Sequence, residues 1–557
     1  MSQLNVHLHQ PHINRAAFDQ YLPYLQSLVA KKDEKSTHLY LLPELFLAGY
    51  PPMDLCFDPD YQNCMQKLLK ELDSFFQSLA SNHHFLIGAL EYSEQGLFNS
   101  LLYARGGEHG RFIYRKESLP NYDIFDEKRY YQKGENQRAQ IEIEDFKIGL
   151  LICEDLWAAI PTNRWSHDLD LIASFNASPY HLSKGQQRIA RVQELHQKTN
   201  LTPIAYVNSV CAQDELIFDG ASFLMENKQI QVLKSFQADG LCYQLNKQDQ
   251  KKVYADCPAH PRLKSASVTE VLSDLQCEEL LQALCFGLQE YAQQCGFQKF
   301  LIGLSGGIDS GVVAAIARLS LKDCQHIEAV YLPSQFSSSL SLSLAQTLSQ
   351  ALDIELKHFP IKFLHSTLQR EISQYYGEKL EGLSDENIQS RLRGLLLMTR
   401  ANQTGAMLLN TSNRSELAVG YSTLYGDSIG ALSVIGDLYK TEVYQLAHYM
   451  NRKYGLIIPQ EMIDREPSAE LRPDQKDSDS LPNYQELDLL LERIHNCEHS
   501  LEKLVELGHQ RETVIQVKNL VHKAQFKRQQ FCPILKIKGQ SFGLGHRMPI
   551  SSAWNLK

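Results

Sequence analysis

Short apolar runs alternate with polar or amphipathic segments from Val6 to about Leu233. The runs are LYLLPE, HFLIGAL, SLLYARG, GRFIYRK, FKIGLLICE, DLIASFNAS and PIAYVNSV. Between them, helical periodicity predicts helices over Phe18–Ala30, Tyr61–Ala80 and Gln186–Thr199. This alternation predicts a layered α/β domain. Because several of the strands are only half apolar, its sheet need not be fully parallel.

A change in composition follows this region. From about Gln237 to Ser267 the chain becomes polar and lysine-rich and contains two prolines, in ADGLCYQLNKQDQKKVYADCPAHPRLKS. Such a segment is typical of a connection between domains. The sequence therefore predicts a first domain over residues 1–236, a linker over 237–270 and a second domain over 271–557.

The second domain repeats the alternation of strands and helices. The amphipathic stretch over residues 268–296 predicts a long helix that leads into LIGLSGGIDS. Further apolar runs follow at IEAVYLP, IELKHFPI and AMLLNTSN, with a helix predicted from Ser384 to Gln403. The serine-rich run SQFSSSLSLSL predicts a flexible loop that enters a helix. This pattern favours a second, mostly parallel α/β unit.

Composition narrows the classes of function. The chain has 557 residues and is 43% hydrophobic, enough for more than one core. A net charge of -10 argues against a general nucleic-acid binder, which is usually basic. No apolar run approaches the roughly 20 residues that span a bilayer. The N-terminus shows no secretory signal, and the 12 cysteines form no CxxC pair. We therefore expect a reduced, cytoplasmic protein.

The stretch LIGLSGGIDSG, Leu301 to Gly311, combines a strand, a glycine-rich turn and the start of a helix. Bare backbone N–H groups at a helix N-terminus bind phosphate. Asp309 would repel that phosphate unless it holds Mg²⁺ on it. The lysine of a Walker A loop is absent, so an ordinary P-loop is excluded. A tight turn that needs glycine only for its geometry is the alternative, and the serines and Asp309 argue against it.

The string SGGIDS resembles the pyrophosphate loop of the N-type ATP pyrophosphatases, which cleave ATP to AMP and pyrophosphate while they adenylate a carbonyl or carboxyl oxygen. Within that group, the downstream strings resemble the NAD synthetases from Leu301 to Ser551. These strings are ENIQSRLRG, NTSNRSELAVGYSTLYGD and EPSAELRPDQKDSDSLPNY. The resemblance implies a doubly wound parallel sheet, Rossmann-like and of the adenine nucleotide alpha hydrolase type.

Several downstream residues also suit such a site on their own chemistry. Thr411 ends an apolar strand, where side chains of a parallel sheet face a ligand. Glu416 lies just beyond and can join Asp309 on a metal ion. Asn387 and Arg391 are one helical turn apart and share a face. Taken singly, each charged residue is as well explained as a solvated surface side chain.

The resemblance implies roles for individual residues. ATP would contact Gly303, Leu304, Ser305, Gly306, Gly307, Ile308, Asp309, Ser310, Thr411, Lys440 and Ser468. Mg²⁺ would bind Asp309 and Glu416. Deamido-NAD would contact Asn387, Arg391, Glu416 and Lys527, partly across a dimer interface. This chain departs from the family pattern at Gln525 and Gly545, where acidic residues are usual, and at Gly436 and Tyr439, where some members have lysine and proline.

The first domain contains a second set of candidate residues. Hydrolysis of an amide through a thioester needs a nucleophile, a base and a positive group for the oxyanion. Glu44 in LLPELFLAGYPP, Lys116 in FIYRKESLPNY and Cys153 in LLICEDLW supply one of each. A buried inert thiol and a structural Glu–Lys ion pair are the alternatives.

Together these strings resemble the Glu–Lys–Cys triad of the nitrilase superfamily over about residues 4 to 230, and most closely the amidase domain of glutamine-dependent NAD synthetases. The resemblance implies an α-β-β-α sandwich. It assigns Glu44 as general base, Lys116 as oxyanion stabiliser and Cys153 as nucleophile. Tyr122, Ser178 and Lys184 match the positions that bind glutamine.

The two sites predict two half-reactions. Glutamine would release ammonia at the cysteine site, and ATP would activate deamido-NAD for amidation to NAD. An amidotransferase for another adenylated acceptor is the alternative among enzymes, and ENIQSRLRG and YSTLYGD argue against it. A non-catalytic nucleotide sensor is the alternative outside enzymes, and a complete Glu44, Lys116 and Cys153 set argues against that. The resemblance also implies a dimer or a larger even assembly. From the net charge and the lack of a long apolar run, we expect no nucleic-acid or membrane partner.

Overall fold

The structure is a computed structural model that describes residues 3–30, 32, 35–247, 255–259, 271–321, 327–495 and 499–552. The chain divides into two compact units, Met1–Lys264 and Ser265–Lys557. Each unit has its own sheets and its own apolar core.

The first unit contains two six-stranded sheets among its described residues. The first sheet has the order β14-β1-β2-β3-β4-β5, with β1 (Gln3–Gln10), β2 (Thr37–Leu42), β3 (His83–Ser93), β4 (Gly96–Arg105), β5 (Arg111–Arg115) and β14 (Asp239–Asn246). β1, β2 and β3 are parallel, and the remaining pairs are antiparallel.

The second sheet has the order β13-β12-β9-β8-β7-β6, with β6 (Gln140–Ile143), β7 (Phe146–Ile152), β8 (Leu171–Asn176), β9 (Ile204–Asn208), β12 (Phe223–Glu226) and β13 (Gln229–Val232). Its central strands β7, β8 and β9 are parallel. A ribbon of β10 (Val210–Gln213) and β11 (Leu216–Asp219) accompanies it.

Successive side chains of a strand point to opposite faces of its sheet, so each strand contributes to two layers of packing. Leu4, Val6 and Leu8 of β1 are fully buried in the core between the sheets. The other face of the first sheet packs against α1 (Phe18–Val29) and α2 (Pro59–Ser78). The second sheet is contacted by α5 (Lys184–Lys198). These helices and the two sheets confirm the predicted α-β-β-α sandwich. The short helices α3 (Glu127–Tyr130) and α4 (Glu154–Trp157) follow β5 and β7.

The second unit is built on a five-stranded sheet with the order β17-β16-β15-β18-β19. Its strands are β15 (Phe300–Gly303), β16 (Ile327–Tyr331), β17 (Glu355–His358), β18 (Met407–Asn410) and β19 (Leu432–Ser433). Every pair is parallel, which confirms the predicted doubly wound sheet. The strand order reverses between β15 and β18, and ligands of such sheets bind at that switch point.

Helices surround this sheet: α6 (Asp274–Gln294), α7 (Ile308–Ser320), α8 (Ser339–Ala351), α9 (Lys362–Tyr376), α10 (Leu383–Thr404), α11 (Arg414–Val419), α12 (Lys440–Tyr454), α13 (Gln460–Asp464), α14 (Tyr484–His495), α15 (Leu501–Glu506), α16 (Arg511–Lys523) and α17 (Gln525–Arg528). Leu301 and Leu408 of the sheet share a core with α10. A separate apolar cluster joins α11, α14, α15 and α16.

Four of the predicted helices agree with α1, α2, α5 and α10 to within two residues, whereas the helix predicted over 268–296 is α6, Asp274–Gln294. Part of the segment predicted as a linker is a strand. Asp239–Asn246 is strand β14, paired with β1 from Asp239 to Asn246. Leu241, Tyr243 and Leu245 alternate with exposed residues, which is the period of an edge strand with one buried face. Residues 248–254 and 260–270 of the predicted linker lie outside the described residues. The domain limits at 236 and 271 remain predictions.

None of the helices that the structure describes is both long and apolar enough to cross a membrane.

Leu245→Ala tests whether β14 belongs to the first unit. Leu245 is 2% exposed in the core between the sheets, so its loss should cost about 2 to 5 kcal/mol in the free energy of unfolding. Gln244→Ala, on the exposed face of the same strand, should change it by no more than about 0.5 kcal/mol. Urea unfolding followed by tryptophan fluorescence measures this, because Trp157 and Trp165 lie in the first unit. Equal effects of the two substitutions would contradict the assignment.

Candidate active sites

Cys153 occupies a sharp turn between β7 and α4. Its φ of 42° and ψ of -95° are rare for a residue with a side chain. The backbone N–H of Cys153 donates to the carbonyl of Phe175 at 2.9 Å, and the residue is only 7% exposed. The turn therefore holds the thiol at the carboxyl end of a central parallel strand.

Asp155 stabilises this turn. Its Oδ2 accepts hydrogen bonds from the backbone N–H of Ile152 at 3.1 Å and from the Tyr114 hydroxyl at 2.8 Å. Its Oδ1 accepts one from the N–H of Ser118 at 2.7 Å. The carboxylate thus joins the turn of Cys153 to the segment just after Lys116. Sequence reasoning missed Asp155, although an acidic residue in the first turn of a helix was an available signal.

Lys116 lies between two carboxylates. Its Nζ is 2.7 Å from Oε1 of Glu44 and 2.7 Å from Oε1 of Glu127. Glu44 follows β2 and is held in place, because its Oε1 also accepts from Nδ2 of Asn99 at 2.8 Å and its Oε2 accepts from the N–H of Ala177 at 2.8 Å. The predicted pair of Glu44 and Lys116 is therefore in direct contact and buried.

Glu127 was not identified from the sequence. Its Oε1 accepts from the Tyr50 hydroxyl at 2.8 Å, while its buried Oε2 has no hydrogen-bond partner among the described residues. Burial raises the pKa of Glu127 to about 7, although the charge of Lys116 opposes this rise. Asp123 and Asp126 stand close by in the same string, and no pattern distinguished Glu127 from them.

The electrostatics of this site favour a protonated thiol. Burial raises the pKa of Cys153 well above its ordinary value, and the charge of Glu44 adds to this, while Lys116 acts in the opposite direction. For Lys116, burial lowers the pKa, but Glu127 and Glu44 outweigh burial and keep the ammonium charged. A nucleophilic thiolate at this position therefore requires a base that removes the proton.

The predicted glutamine-binding residues lie beside the segment that follows Cys153. The Tyr122 hydroxyl donates to Oε2 of Glu154 at 2.9 Å. The same two residues line a cavity of about 620 Å³. Nζ of Lys184 is 4.4 Å from the centroid of the Trp157 ring, a distance typical of a cation–π contact. Burial, followed by the charge of Arg188, lowers the pKa of Lys184 to about 8.

Ser178 follows β8 and is 3% exposed. Its N–H donates to Oδ1 of Asn208 at 2.9 Å. Its Oγ accepts from Nε of Arg188 at 3.2 Å, and Arg188 is paired with Asp219. The Ser178 hydroxyl therefore lies beside the buried ion pair of Arg188 and Asp219.

The glycine-rich loop of the second unit has the predicted form. β15 ends at Gly303, and α7 begins at Ile308. Gly306 has a φ of 83°, and a Cβ there would lie 2.3 Å from the carbonyl oxygen of Ser341, so no other residue fits. Oγ of Ser305 accepts from the N–H of Gly307 at 3.2 Å, which tightens the turn.

A cavity of about 270 Å³ lies at the carboxyl ends of β15 and β18, the switch point of the sheet. The predicted ATP residues that line it are Gly303, Leu304, Ser305, Gly307, Ile308, Asp309, Ser310, Thr411, Lys440 and Ser468, together with Glu416. Its walls also include residues that sequence reasoning missed: Arg393, Tyr421, Tyr444, Arg465, Glu470 and Asp477. Arg393 and Arg465 are in strings that gave no reason to prefer them over other arginines.

Lys440 is shared by two carboxylates. Its Nζ pairs with Oδ2 of Asp309 and lies 3.4 Å from Oε1 of Glu416. Burial lowers the pKa of Lys440, but Asp309 and Glu416 outweigh it and raise the pKa above the ordinary value. Burial raises the pKa of Glu416 to about 8, with Lys440 opposing and Asp309 reinforcing the rise.

The donor atoms here suit a magnesium ion carried by a nucleotide. Among the described residues there is no group of three or more His, Cys, Asp or Glu side chains that would hold a metal ion. Asp309 and Glu416 nevertheless approach the same cation, Lys440 Nζ, from two directions. Mg²⁺ is typically bound by one or two carboxylates together with phosphate oxygens and water, so two protein carboxylates are sufficient.

The predicted deamido-NAD residues lie together, but three of them do not line this cavity. Oδ1 of Asn387 accepts from the Thr423 hydroxyl at 2.8 Å, and Nε of Arg391 donates to the carbonyl of Leu424 at 3.2 Å. Nζ of Lys527 donates to the carbonyls of Gly420 and Ser422, at 2.8 and 2.6 Å. These contacts converge on residues 420–424, immediately after α11, the helix that carries Glu416.

The departures from the family pattern are structurally accommodated. Oε1 of Gln525 accepts from Nε of Arg528 at 3.1 Å, so a neutral side chain fills this position. Tyr439 directly precedes α12, and its ring lies 5.0 Å from the guanidinium carbon of Arg414. A Cβ at Gly436 would lie 2.5 Å from the hydroxyl of Ser433. A larger residue there would require a local shift.

Each of the two units is similar to a known protein family. Residues 5–242 match the carbon-nitrogen hydrolase family and residues 280–531 the NAD synthase family. The chain is 36% identical to the glutamine-dependent NAD(+) synthetase of Synechocystis sp., over 94% of each chain. It is 34% identical to the enzyme of that name from Thermotoga maritima, over 99% of each chain.

A solved structure of the glutamine-dependent NAD+ synthetase from Acinetobacter baumannii, in complex with adenosine diphosphate, is 30% identical with a TM-score of 0.73. The alignment covers 99% of this chain and 98% of that one. The sequence identity extends over nearly the whole length of the relatives, and the chain has a thiol site in its first unit and a glycine-loop site in its second. The chain therefore belongs to the family of glutamine-dependent NAD(+) synthetases.

Proposed function

We propose that this protein converts deamido-NAD, ATP, glutamine and water into NAD, AMP, diphosphate and glutamate. The proposal is supported mainly by one observation: the chain contains two sites, each with a lysine paired to two carboxylates. Lys116 lies 2.7 Å from two carboxylates in the unit that carries Cys153. Lys440 lies between two further carboxylates at a switch point.

Glutamine reacts at Cys153. Glu44 accepts the thiol proton as Sγ attacks the side-chain amide carbon of glutamine. The negative charge that develops on the amide oxygen is stabilised by the Lys116 ammonium, which the two adjacent carboxylates keep charged. Collapse of the tetrahedral adduct breaks the carbon–nitrogen bond, and Glu44 returns its proton to the leaving ammonia. A thioester with Cys153 remains.

Water then hydrolyses the thioester. Glu44, now deprotonated, accepts a proton from the attacking water, and the Cys153 sulfur leaves as glutamate forms. The restored thiol completes the cycle. Glu127 assists by position, because its Oε1 accepts a second hydrogen bond from the ammonium of Lys116.

Three residues would hold the amino-acid end of glutamine. The Lys184 ammonium pairs with the α-carboxylate, which requires this buried lysine to be protonated. Ser178 would contact the substrate through its hydroxyl, whose oxygen accepts from Nε of Arg188. Tyr122 borders the cavity from which glutamine enters.

Deamido-NAD is activated in the second unit. A carboxylate is unreactive towards ammonia, so an oxygen of the nicotinate carboxylate first attacks the α-phosphorus of ATP and diphosphate leaves. Ammonia then attacks the acyl carbon, and AMP leaves with the carboxyl oxygen. The N–H groups of the glycine loop and the N-terminus of α7 bind phosphate oxygens. Lys440 supplies a further positive charge.

Asp309 and Glu416 would hold Mg²⁺ against the phosphates. The ion would supply charge neutralisation on the departing diphosphate. Asp309 is oriented for this role by Nδ2 of Asn413, which donates to its Oδ1 at 3.0 Å. Since Lys440 lies on both carboxylates, its side chain must move towards the phosphates when the nucleotide enters.

Asn387, Arg391 and Lys527 would bind the dinucleotide acceptor near residues 420–424. The neighbouring helices α9 and α10 expose large apolar side chains, including Phe363 at 80%, Tyr375 at 81% and Leu383 at 72%. Such exposure supports assembly as a dimer or a larger even oligomer through this part of the second unit. The cysteines of the described residues are free thiols, which suits the reducing cytoplasm.

The proposal is tested by product analysis with ATP, deamido-NAD and glutamine. NAD, AMP, diphosphate and glutamate should form in equal amounts. A panel of other carboxylate acceptors should give none of the corresponding amides. Amidation of another acceptor in preference to deamido-NAD would overturn the assignment.

Cys153→Ala should separate the two half-reactions. Loss of the nucleophile should lower glutamine-dependent synthesis by about three orders of magnitude or more. Synthesis from high ammonium at alkaline pH should remain within a few-fold, because the second unit contains none of the removed atoms. Both rates are followed as NAD formation. Cys64→Ala, an exposed thiol on α2, is the matched control. Undiminished glutamine use would show that Cys153 is not the nucleophile.

Lys184 should make glutamine binding sensitive to pH near 8. Below its pKa of about 8 the ammonium pairs with the glutamine carboxylate, and above it the charge is lost, so the KM for glutamine should rise. Lys184→Ala should raise this KM about tenfold or more at pH 7. Lys184→Arg keeps a charge at every pH and should remove the rise near pH 8. An identical pH profile in the arginine variant would exclude Lys184 as its source.

Asp309→Asn should lower ATP-dependent synthesis about a hundredfold or more, because an amide supplies no charge for Mg²⁺ on the phosphates. Ammonium-driven NAD formation is measured over a range of Mg²⁺ concentrations. Release of ammonia from glutamine in the absence of ATP, which depends on the first unit, is the internal control. Normal synthesis with an unchanged Mg²⁺ dependence would show that the metal assignment is wrong.

A further inference from the structure

Asp488 is a fully buried carboxylate on α14. Among the described residues it forms no ion pair within 4 Å, which sets it apart from Asp309 and Glu416. It accepts hydrogen bonds from the Ser415 hydroxyl and, at 2.9 Å, from the backbone N–H of Thr441. Burial raises its pKa to about 6, although both hydrogen bonds oppose this. A buried charge of this kind destabilises a fold unless its contacts compensate.

The two donors are the chain neighbours of candidate site residues. Ser415 directly precedes Glu416 on α11, and Thr441 directly follows Lys440 on α12. The Ser415 hydroxyl oxygen also accepts from the backbone N–H of Lys440 at 2.9 Å. Asp488 and Ser415 therefore connect the first turns of the two helices whose side chains, Glu416 and Lys440, approach to 3.4 Å.

The start of α12 depends on these contacts. The side chain of Tyr439, the residue before the helix, makes no capping hydrogen bond. The first N–H groups of a helix have no partner within it and must be satisfied from outside. Ser415 accepts from the first of them, at Lys440, and Asp488 from the second, at Thr441. A carboxylate at this end of a helix is also favoured by the helix dipole.

The same face of α14 reaches the site at a second point. Tyr484 is one helical turn before Asp488, and its ring centroid is 5.3 Å from Nζ of Lys440. Its hydroxyl donates to Oδ2 of Asp477, which lines the nucleotide cavity, at 2.8 Å. One helix thus contacts the backbone of Thr441, the residue after Lys440, through Asp488, and the ammonium of Lys440 through Tyr484.

We propose that Asp488 is a positioning residue of the ATP and magnesium site, acting through Ser415 and Thr441 to set the separation of Glu416 and Lys440. The inference rests on the proposed roles of those two residues. Asp488 holds the backbone of Thr441 directly and that of Lys440 through Ser415, and it leaves the Lys440 side chain free to exchange the carboxylates for phosphate. Glu416 is thereby left in place to bind the metal.

Asp488→Asn and Ser415→Ala test the proposal in ammonium-driven synthesis. Each should raise the half-saturating Mg²⁺ concentration and the KM for ATP about tenfold, as is typical for residues that orient metal ligands. kcat at saturating Mg²⁺ should change less. The double variant should be no worse than the more affected single variant, because both act through one hydrogen-bonded unit. Ser415→Thr keeps the hydroxyl and should restore the Mg²⁺ dependence of the wild type.

Ser349→Ala is the matched control, because Ser349 is also a buried helical serine, 5% exposed, whose hydroxyl donates to the carbonyl of Gln346. It should leave the Mg²⁺ dependence unchanged. Thermal unfolding of each variant is measured in parallel. If Asp488→Asn and Ser415→Ala lower kcat and the melting temperature without changing the half-saturating Mg²⁺ concentration, their role is purely structural and the inference is overturned.

Glu416→Gln distinguishes failure of this inference from failure of the proposed function. If it changes the Mg²⁺ dependence while Ser415→Ala does not, the metal site stands and the positioning role of Asp488 falls. If neither Glu416→Gln nor Ser415→Ala changes the Mg²⁺ dependence, both the proposed metal site and the positioning role of Asp488 are wrong. Ser415→Ala carries the test even if Asp488→Asn fails to fold, because it removes no buried charge.

Discussion

A buried lysine ammonium shared by two carboxylates organises each site of this protein. Lys116 lies between Glu44 and Glu127, and Lys440 between Asp309 and Glu416. A buried ion is tolerated only when opposite charges and hydrogen bonds replace its water. Each lysine therefore requires its two acids, and an acid deprived of the lysine would be left as a buried uncompensated charge. This mutual dependence explains why every member of each group lies at a strand end or in a helix first turn, where the backbone is rigid.

Parallel strands bring these charges together. Their carboxyl ends meet at one edge of a sheet, so residues distant in sequence become neighbours without a long loop. In the first unit, the site residues follow parallel strands of two different sheets, β2 leading to Glu44 and β7 to Cys153. In the second, β15 leads to the glycine loop and β18 to Thr411. Hydrogen-bonded supports then fix the orientation: Asp155 at the turn of Cys153, Asn99 at Glu44, and Asn413 at Asp309.

The sequence predicted the part of this arrangement that leaves a local pattern. Apolar runs ending at Cys153 or at SGGIDS marked strand ends, and helical periodicity located α1, α2, α5 and α10. Glu127 and Asp477 left no such pattern, because each stands among other acidic residues and is selected only by tertiary contacts. β14 was predicted as part of a linker. An edge strand with one exposed face is half polar, and the lysine-rich sequence after β14 is typical of a linker.

Lys116 and Lys440 differ in how firmly their carboxylate partners are held. This difference suits the different reactions proposed for the two sites. Glu44 is fixed by Asn99 and by the N–H of Ala177, so in the proposed mechanism Lys116 would stabilise an oxyanion without moving. Asp309 and Glu416 line a cavity, and Lys440 pairs with both of the carboxylates to which we assign the metal ion. In the proposed mechanism, an arriving nucleotide would bring both a replacement cation for the two acids and phosphate oxygens for the lysine. Its binding therefore exchanges one set of ion pairs for another and leaves no buried charge alone.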